Sequence, residues 1–159
     1  EYDKDFNHKS LQNADELGKE IDLILAAQEK QDAVMLEMQQ KRLKAFWEIL
    51  TYHMDRKSIT VEQLAERSDL SDTTIKNYRA GKKTPPIENV MAVCIGLNLP
   101  RVYSEHLLKS CSYTLGDSPR DRAYNLCLDY GEGTIMQWNM ILEKCHQPGI
   151  PDRRNQKTS

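Results

Sequence analysis

No apolar run in this chain approaches the ~20 residues that a membrane-spanning helix needs, and nothing at its start has the form of a signal peptide. A soluble, cytoplasmic protein is therefore expected, with 39% hydrophobic residues among 159 to bury one modest core and an accessory element. The first residue is Glu1, so a fragment or processed chain is expected, with an upstream domain left open. There are only four cysteines, Cys94, Cys111, Cys127 and Cys145, with no C-x-x-C pair among them. Such spacing fits buried thiols in a reducing compartment better than disulfides. The four histidines, His8, His53, His106 and His146, show no metal-ligand spacing, and H-E-x-x-H, G-x-S-x-G and a phosphate-binding glycine loop are all missing. His106 with Cys111, and Cys145 with His146, lack a third group to orient a base and read as packing. Thus no enzyme, no metal and no cofactor is expected. Excess charge is lacking too: the net is -2, which argues against strong general affinity for nucleic acid unless the charge is unevenly distributed.

What is present begins with Ile59 to Gly81, ITVEQLAERSDLSDTTIKNYRAG. Thr60 with Gln63 three residues on forms a capping box, and Leu64 and Ala65 give the short helix that follows an inner face. Asp69 suits the left-handed conformation of a tight turn, and Leu70 plugs the corner. Ser71 caps a second helix on which Ile75 and Tyr78 face inward at i, i+3, leaving Asp72, Thr73, Lys76 and Asn77 outward. Gly81 ends it in the left-handed region.

These residues resemble the helix-turn-helix of the lambda-repressor-like, or Xre, family of DNA-binding domains. The likeness extends in order from LKAFWEILTYHM, as first helix, through KKTPPIENVMAVCIGLNL, the loop and fourth helix with Ile87, Val90, Met91, Cys94 and Leu97 on one side, to RVYSEHLLKS as the fifth. Three positions depart from the family. Val61 stands where a phosphate-holding Gln is frequent. Arg79 replaces the usual Glu that pairs with a first-helix Arg, whose counterpart is Met54, leaving Arg79 to Asp55 or to a phosphate. Asp72 puts an acid at the tip of the groove-entering helix, able to accept from a cytosine amino group but repelling phosphate.

Charge supports this placement locally. Lys+Arg against Asp+Glu is 9 to 12 over residues 1–57, 7 to 6 over 58–116 and 6 to 6 over 117–159. Yet Thr73 to Ile87 contains no acid, while Lys76, Arg79, Lys82 and Lys83 all lie within it. The resemblance implies that helix 71–80 enters the major groove of double-stranded DNA, with Thr73, Lys76, Asn77 and Asp72 toward bases. Ser71, Thr74, Arg79, Lys82 and Lys83 would face phosphates. A solvated helix end is the plainer reading of the same basic residues.

Two further elements flank the motif. Leu17, Ile21, Ile24, Gln28, Gln31, Met35, Met38, Arg42, Ala45 and Ile49 keep 4-3 spacing, and no Gly or Pro falls between Lys19 and Ser58. One long helix, or two nearly continuous ones, is expected, serving either homodimerisation or docking on the chain itself. After Gly116, Ser118 caps a helix opened by Pro119, Gly131 to Gly133 turns the chain, and Thr134 with Gln137 caps a last helix bearing Ile135, Trp138, Ile141, Leu142 and Cys145.

The expected fold is all-α: a lambda-repressor-like bundle over residues 41–115, a polar helix over 1–40, a helical hairpin over 116–147, and a disordered tail over 148–159. A sequence-specific transcriptional regulator is the leading function. The alternative is an interaction module that keeps the helix-turn-helix fold but binds protein, possible as the non-catalytic half of a regulator carrying a peptidase domain.

Overall fold

The computed structural model describes residues 2–150 apart from Glu132, with side chains from Gln12 onward. Among the described residues there are eight helices and no strand: α1 (Tyr2–Gln40), α2 (Phe46–Lys57), α3 (Val61–Ser68), α4 (Asp72–Arg79), α5 (Ile87–Gly96), α6 (Arg101–Ser110), α7 (Pro119–Tyr130) and α8 (Ile135–Lys144). None is long and apolar enough to cross a membrane among the residues described. The chain divides into two compact units, one up to Arg42 and one from Leu43 onward.

The near-continuity expected from Leu17 to Ile49 is broken at the boundary between these units. The amides of Lys41 and Arg42 donate to Glu37 and Gln39, closing α1, and Arg42 then takes a left-handed φ of 57°. Glu48 accepts from the Ala45 amide at 3.2 Å and starts the chain again as α2. A non-glycine residue at positive φ is uncommon, which is why the uninterrupted 4-3 spacing gave no sign of the break, although the family resemblance starts the first helix at Leu43. On α1 itself, Leu17, Ile21 and Ile24 are exposed, and Gln28 donates to Asp32 at 2.9 Å.

Capping accounts for the boundaries in the second unit. The Thr60 side chain accepts from the Gln63 amide at 3.2 Å, and Gln63 returns the bond to the Thr60 amide at 3.0 Å. Asp69 closes α3 at φ 57°, and Ser71 opens α4 by accepting from the Thr74 amide. Ser118 caps α7 with Pro119 at its first position, and Thr134 and Gln137 form the reciprocal box of α8.

Helix α5 lies at the centre of this unit, packed by α3, α6 and α8. Every residue from Asn89 to Gly96 is buried, so the one-sided apolar face expected for it is too narrow a description. The hairpin accounts for the extra coverage: Trp138 and Leu142 of α8 are buried, and α7 packs on α6. Arg101 fastens α7 to α6 by donating to the Asn125 side chain at 2.6 Å and pairing with Asp129. Order also persists past Pro148, where the tail was expected to start. Ile150 is buried, and its amide and carbonyl pair with the Asn139 side chain at 2.7 and 3.2 Å. The rest of the expected tail, 151–159, lies outside the described residues.

Candidate nucleic-acid interface

The geometry of α4 follows from two buried anchors. Ile75 is fully buried and Tyr78 is 4% exposed, its ring meeting Phe46 of α2 edge-on at 5.9 Å. With those side chains inward, Asp72, Thr73 and Lys76 stand in solvent, one turn apart on the opposite face. Asn77, expected to point out with them, is half-buried and forms part of the wall of a cleft. Asp72 sits in the first turn, where a negative charge favours the helix dipole.

The residues assigned to phosphate are placed differently from one another. Ser71 and Thr74 are half-buried, and their hydroxyls lie 2.8 Å apart within the N-cap. Lys82 and Lys83 are exposed on the loop after α4 and, like Lys76, form no ion pair among the described residues. Arg79 approaches Asp55 at 3.9 Å, with 35% of its side chain exposed against 74% for Asp55. A long pair so open to water contributes little and leaves the guanidinium available to another anion.

The loop carrying the lysines is held on two sides. Gly81 adopts φ +71°, and a Cβ there would meet the Trp47 indole at 3.0 Å. The Tyr113 hydroxyl donates to the Pro85 carbonyl at 2.8 Å. Neither Trp47 nor Tyr113 stands out in the sequence, because both reach the loop from distant positions. A third addition is Asn89 in α5, 6% exposed, whose side chain is bonded to the Tyr78 hydroxyl at 2.7 Å. Its only sequence signal is a polar residue inside the most apolar helix.

His53 is packed against aromatic and basic neighbours. His53 is fully buried, its ring 5.1 Å from Tyr103, and its Nδ1 meets the Arg56 guanidinium at 3.1 Å. Burial, followed by the positive charge of Arg56, His106 and Lys57, lowers its pKa to about 3. It is neutral at physiological pH.

A chain whose second and third helices of this unit, α3 and α4, meet at an Asp69 turn, with α4 presenting a polar face beside a basic loop, has the form of a DNA-binding helix-turn-helix domain. Comparison with known families agrees: residues 53–103 match the family described as Helix-turn-helix. The match runs from within α2 into the first turn of α6, so residues 53–103 are a helix-turn-helix region of the Xre, lambda-repressor-like type. No curated protein and no solved structure matches the chain.

Proposed function

We propose that the protein is a sequence-specific transcriptional regulator that inserts α4 into the major groove of double-stranded DNA. Thr73, Lys76, Asn77 and Asp72 read base edges, while Ser71, Thr74, Arg79, Lys82 and Lys83 meet phosphates. The observation that carries this reading is the coincidence of Lys76, Lys82 and Lys83, exposed and without ion pairs, on the helix and loop where no acid occurs from Thr73 to Ile87. Cations there are free to release counterions from a duplex. Asn presents both a donor and an acceptor to adenine, and Lys can donate to guanine.

Homodimerisation belongs to the same reading. Leu17, Ile21 and Ile24, exposed along α1, suit a second copy, and two domains would read two half-sites. The cytoplasm is the proposed place of action. Selection of bound duplexes from a random library, followed by a mobility shift across salt concentrations, tests the function. An enriched motif bound far more tightly than random DNA is the expected result. Absence of any shift at low salt would remove the DNA reading and favour a protein-binding role, consistent with Asp72 at the helix tip.

A further inference from the structure

We propose that the cleft between α6, the loop after it and α7 is a binding pocket for a free apolar α-amino acid, taken up as its zwitterion. The cleft has a volume of about 280 Å³. Pockets for drug-sized ligands measure ~300–1,000 Å³, so the fitting guest is smaller than these. Its lining is of two kinds. Leu108, buried, and Tyr113 and Leu115, half-buried, supply apolar surface for a side chain. The Tyr113 hydroxyl donates to the Pro85 carbonyl at 2.8 Å, which holds that wall in place before any guest arrives. The remaining groups are charged or polar, and they divide into an acceptor set and a donor set.

Glu105 is the acceptor. Arg101, the base next to it, is already committed, since it donates to Glu105 at 2.8 Å, pairs with Asp129 and donates to both the carbonyl and the side chain of Asn125. Two carboxylates thus share one guanidinium and leave negative charge in excess. An ionised carboxylate offers about four acceptor positions, of which Arg101 takes one on Glu105, so the others suit an ammonium.

Lys109 leads the donor set. One turn along α6 from Glu105, it is placed to form an i, i+4 pair, yet it has no ion pair among the described residues. Asn125 is the second donor. A guanidinium only donates, so its bond fixes the Asn125 Oδ1 toward Arg101 and turns the NH₂ away. That NH₂ and the Thr114 hydroxyl border the same cleft with no hydrogen bond among the described residues. Three such donors suit a carboxylate. An ammonium, a carboxylate and an apolar side chain on one carbon use all three kinds of surface, whereas a simple anion or cation leaves one of them idle.

The test titrates the full chain, without DNA, with L-leucine and follows the backbone amide resonances of Leu108, Tyr113 and Leu115. Saturable shifts centred on these residues are expected, and their absence with leucine, isoleucine, methionine and phenylalanine alike overturns the pocket. Two analogues probe the charges: N-acetylleucine lacks the ammonium and leucinamide lacks the carboxylate. Each should bind about tenfold more weakly than leucine, as loss of one charge-assisted bond implies. Equal binding of either analogue overturns the zwitterion. Glu105→Gln should abolish the preference for leucine over N-acetylleucine, and Lys109→Met the preference over leucinamide. Both positions are exposed, so both variants should keep the fold. A merely solvated helix face predicts the same preferences in the native chain and the two variants, and that result overturns the inference while leaving the DNA-binding reading untouched.

Discussion

Replacing Tyr78 by alanine is expected to destabilise the second unit by about 3–5 kcal/mol, the range for emptying a large buried aromatic site. The ring is 4% exposed and stacks edge-on with Phe46, a pair that adds about 0.5–1.5 kcal/mol to simple burial. Tyr78→Phe separates the hydroxyl from the ring. It keeps the packing, removes the 2.7 Å bond to Asn89 and should cost about 1–2 kcal/mol, because the amide then loses its partner in the protein. The ring alone is thus worth roughly 1–4 kcal/mol, the difference between the two variants. For a unit of this size the alanine variant should melt about 12–20 °C lower. Tryptophan fluorescence suits the assay, since Trp138 is buried in the same unit and α1 contains no tryptophan. A loss below about 1 kcal/mol for Tyr78→Ala, or equal losses for the two variants, would show that the ring does not fill the core and that α4 is rotated.

The remaining expectations concern the interface, pH and two close approaches. Asn77→Ala should relax base preference at one position of the selected site with an unchanged salt slope, whereas Lys82→Ala with Lys83→Ala should weaken binding to all sequences and lower the slope by about 0.9 for each phosphate no longer neutralised. Binding indifferent to the combined loss of Lys76 and Asn77 would instead favour the protein-module reading. His53, whose pKa is lowered to about 3, binds its proton more readily when unfolded, so stability should be full above the ordinary histidine value of 6.5 and fall as pH drops from there toward 3. Denaturant titrations should give a slope of at most about 1.4 kcal/mol per pH unit from this group, and a slope unaltered by His53→Gln would dissociate it from His53. Gly81→Ala should cost about 1–2 kcal/mol through its positive φ, with a further cost from the close approach to Trp47, measured by chemical denaturation; a neutral result would mean that the loop moves freely off the indole. At the crossing of α3 and α5, a Cβ on Gly96 would lie 2.9 Å from Leu64 Cδ1, so Gly96→Ala should lower the melting temperature unless that side chain can swing aside.

Much of the helical order was readable because its causes lie within four residues of one another. Thr60 with Gln63, Ser71 with Thr74, and Thr134 with Gln137 cap their helices through bonds that a short peptide could contain. The i, i+3 spacing of Ile75 and Tyr78 likewise determined which face of α4 turns inward, and so the exposure of Asp72, Thr73 and Lys76. Asn77 marks the limit of that argument, because it is half-buried in the wall of a cleft that Asn89 of α5 also lines. Only the tertiary structure decided the left-handed turn at Arg42, the burial of α5 from Asn89 to Gly96, and the anchoring of Ile150 by Asn139. The same holds for Trp47 beneath Gly81 and for Asn89 under Tyr78, partners separated by 34 and 11 residues. Each depends on surfaces brought together by folding, where burial raises the cost of an unpaired group and packing overrides the local preference of the chain.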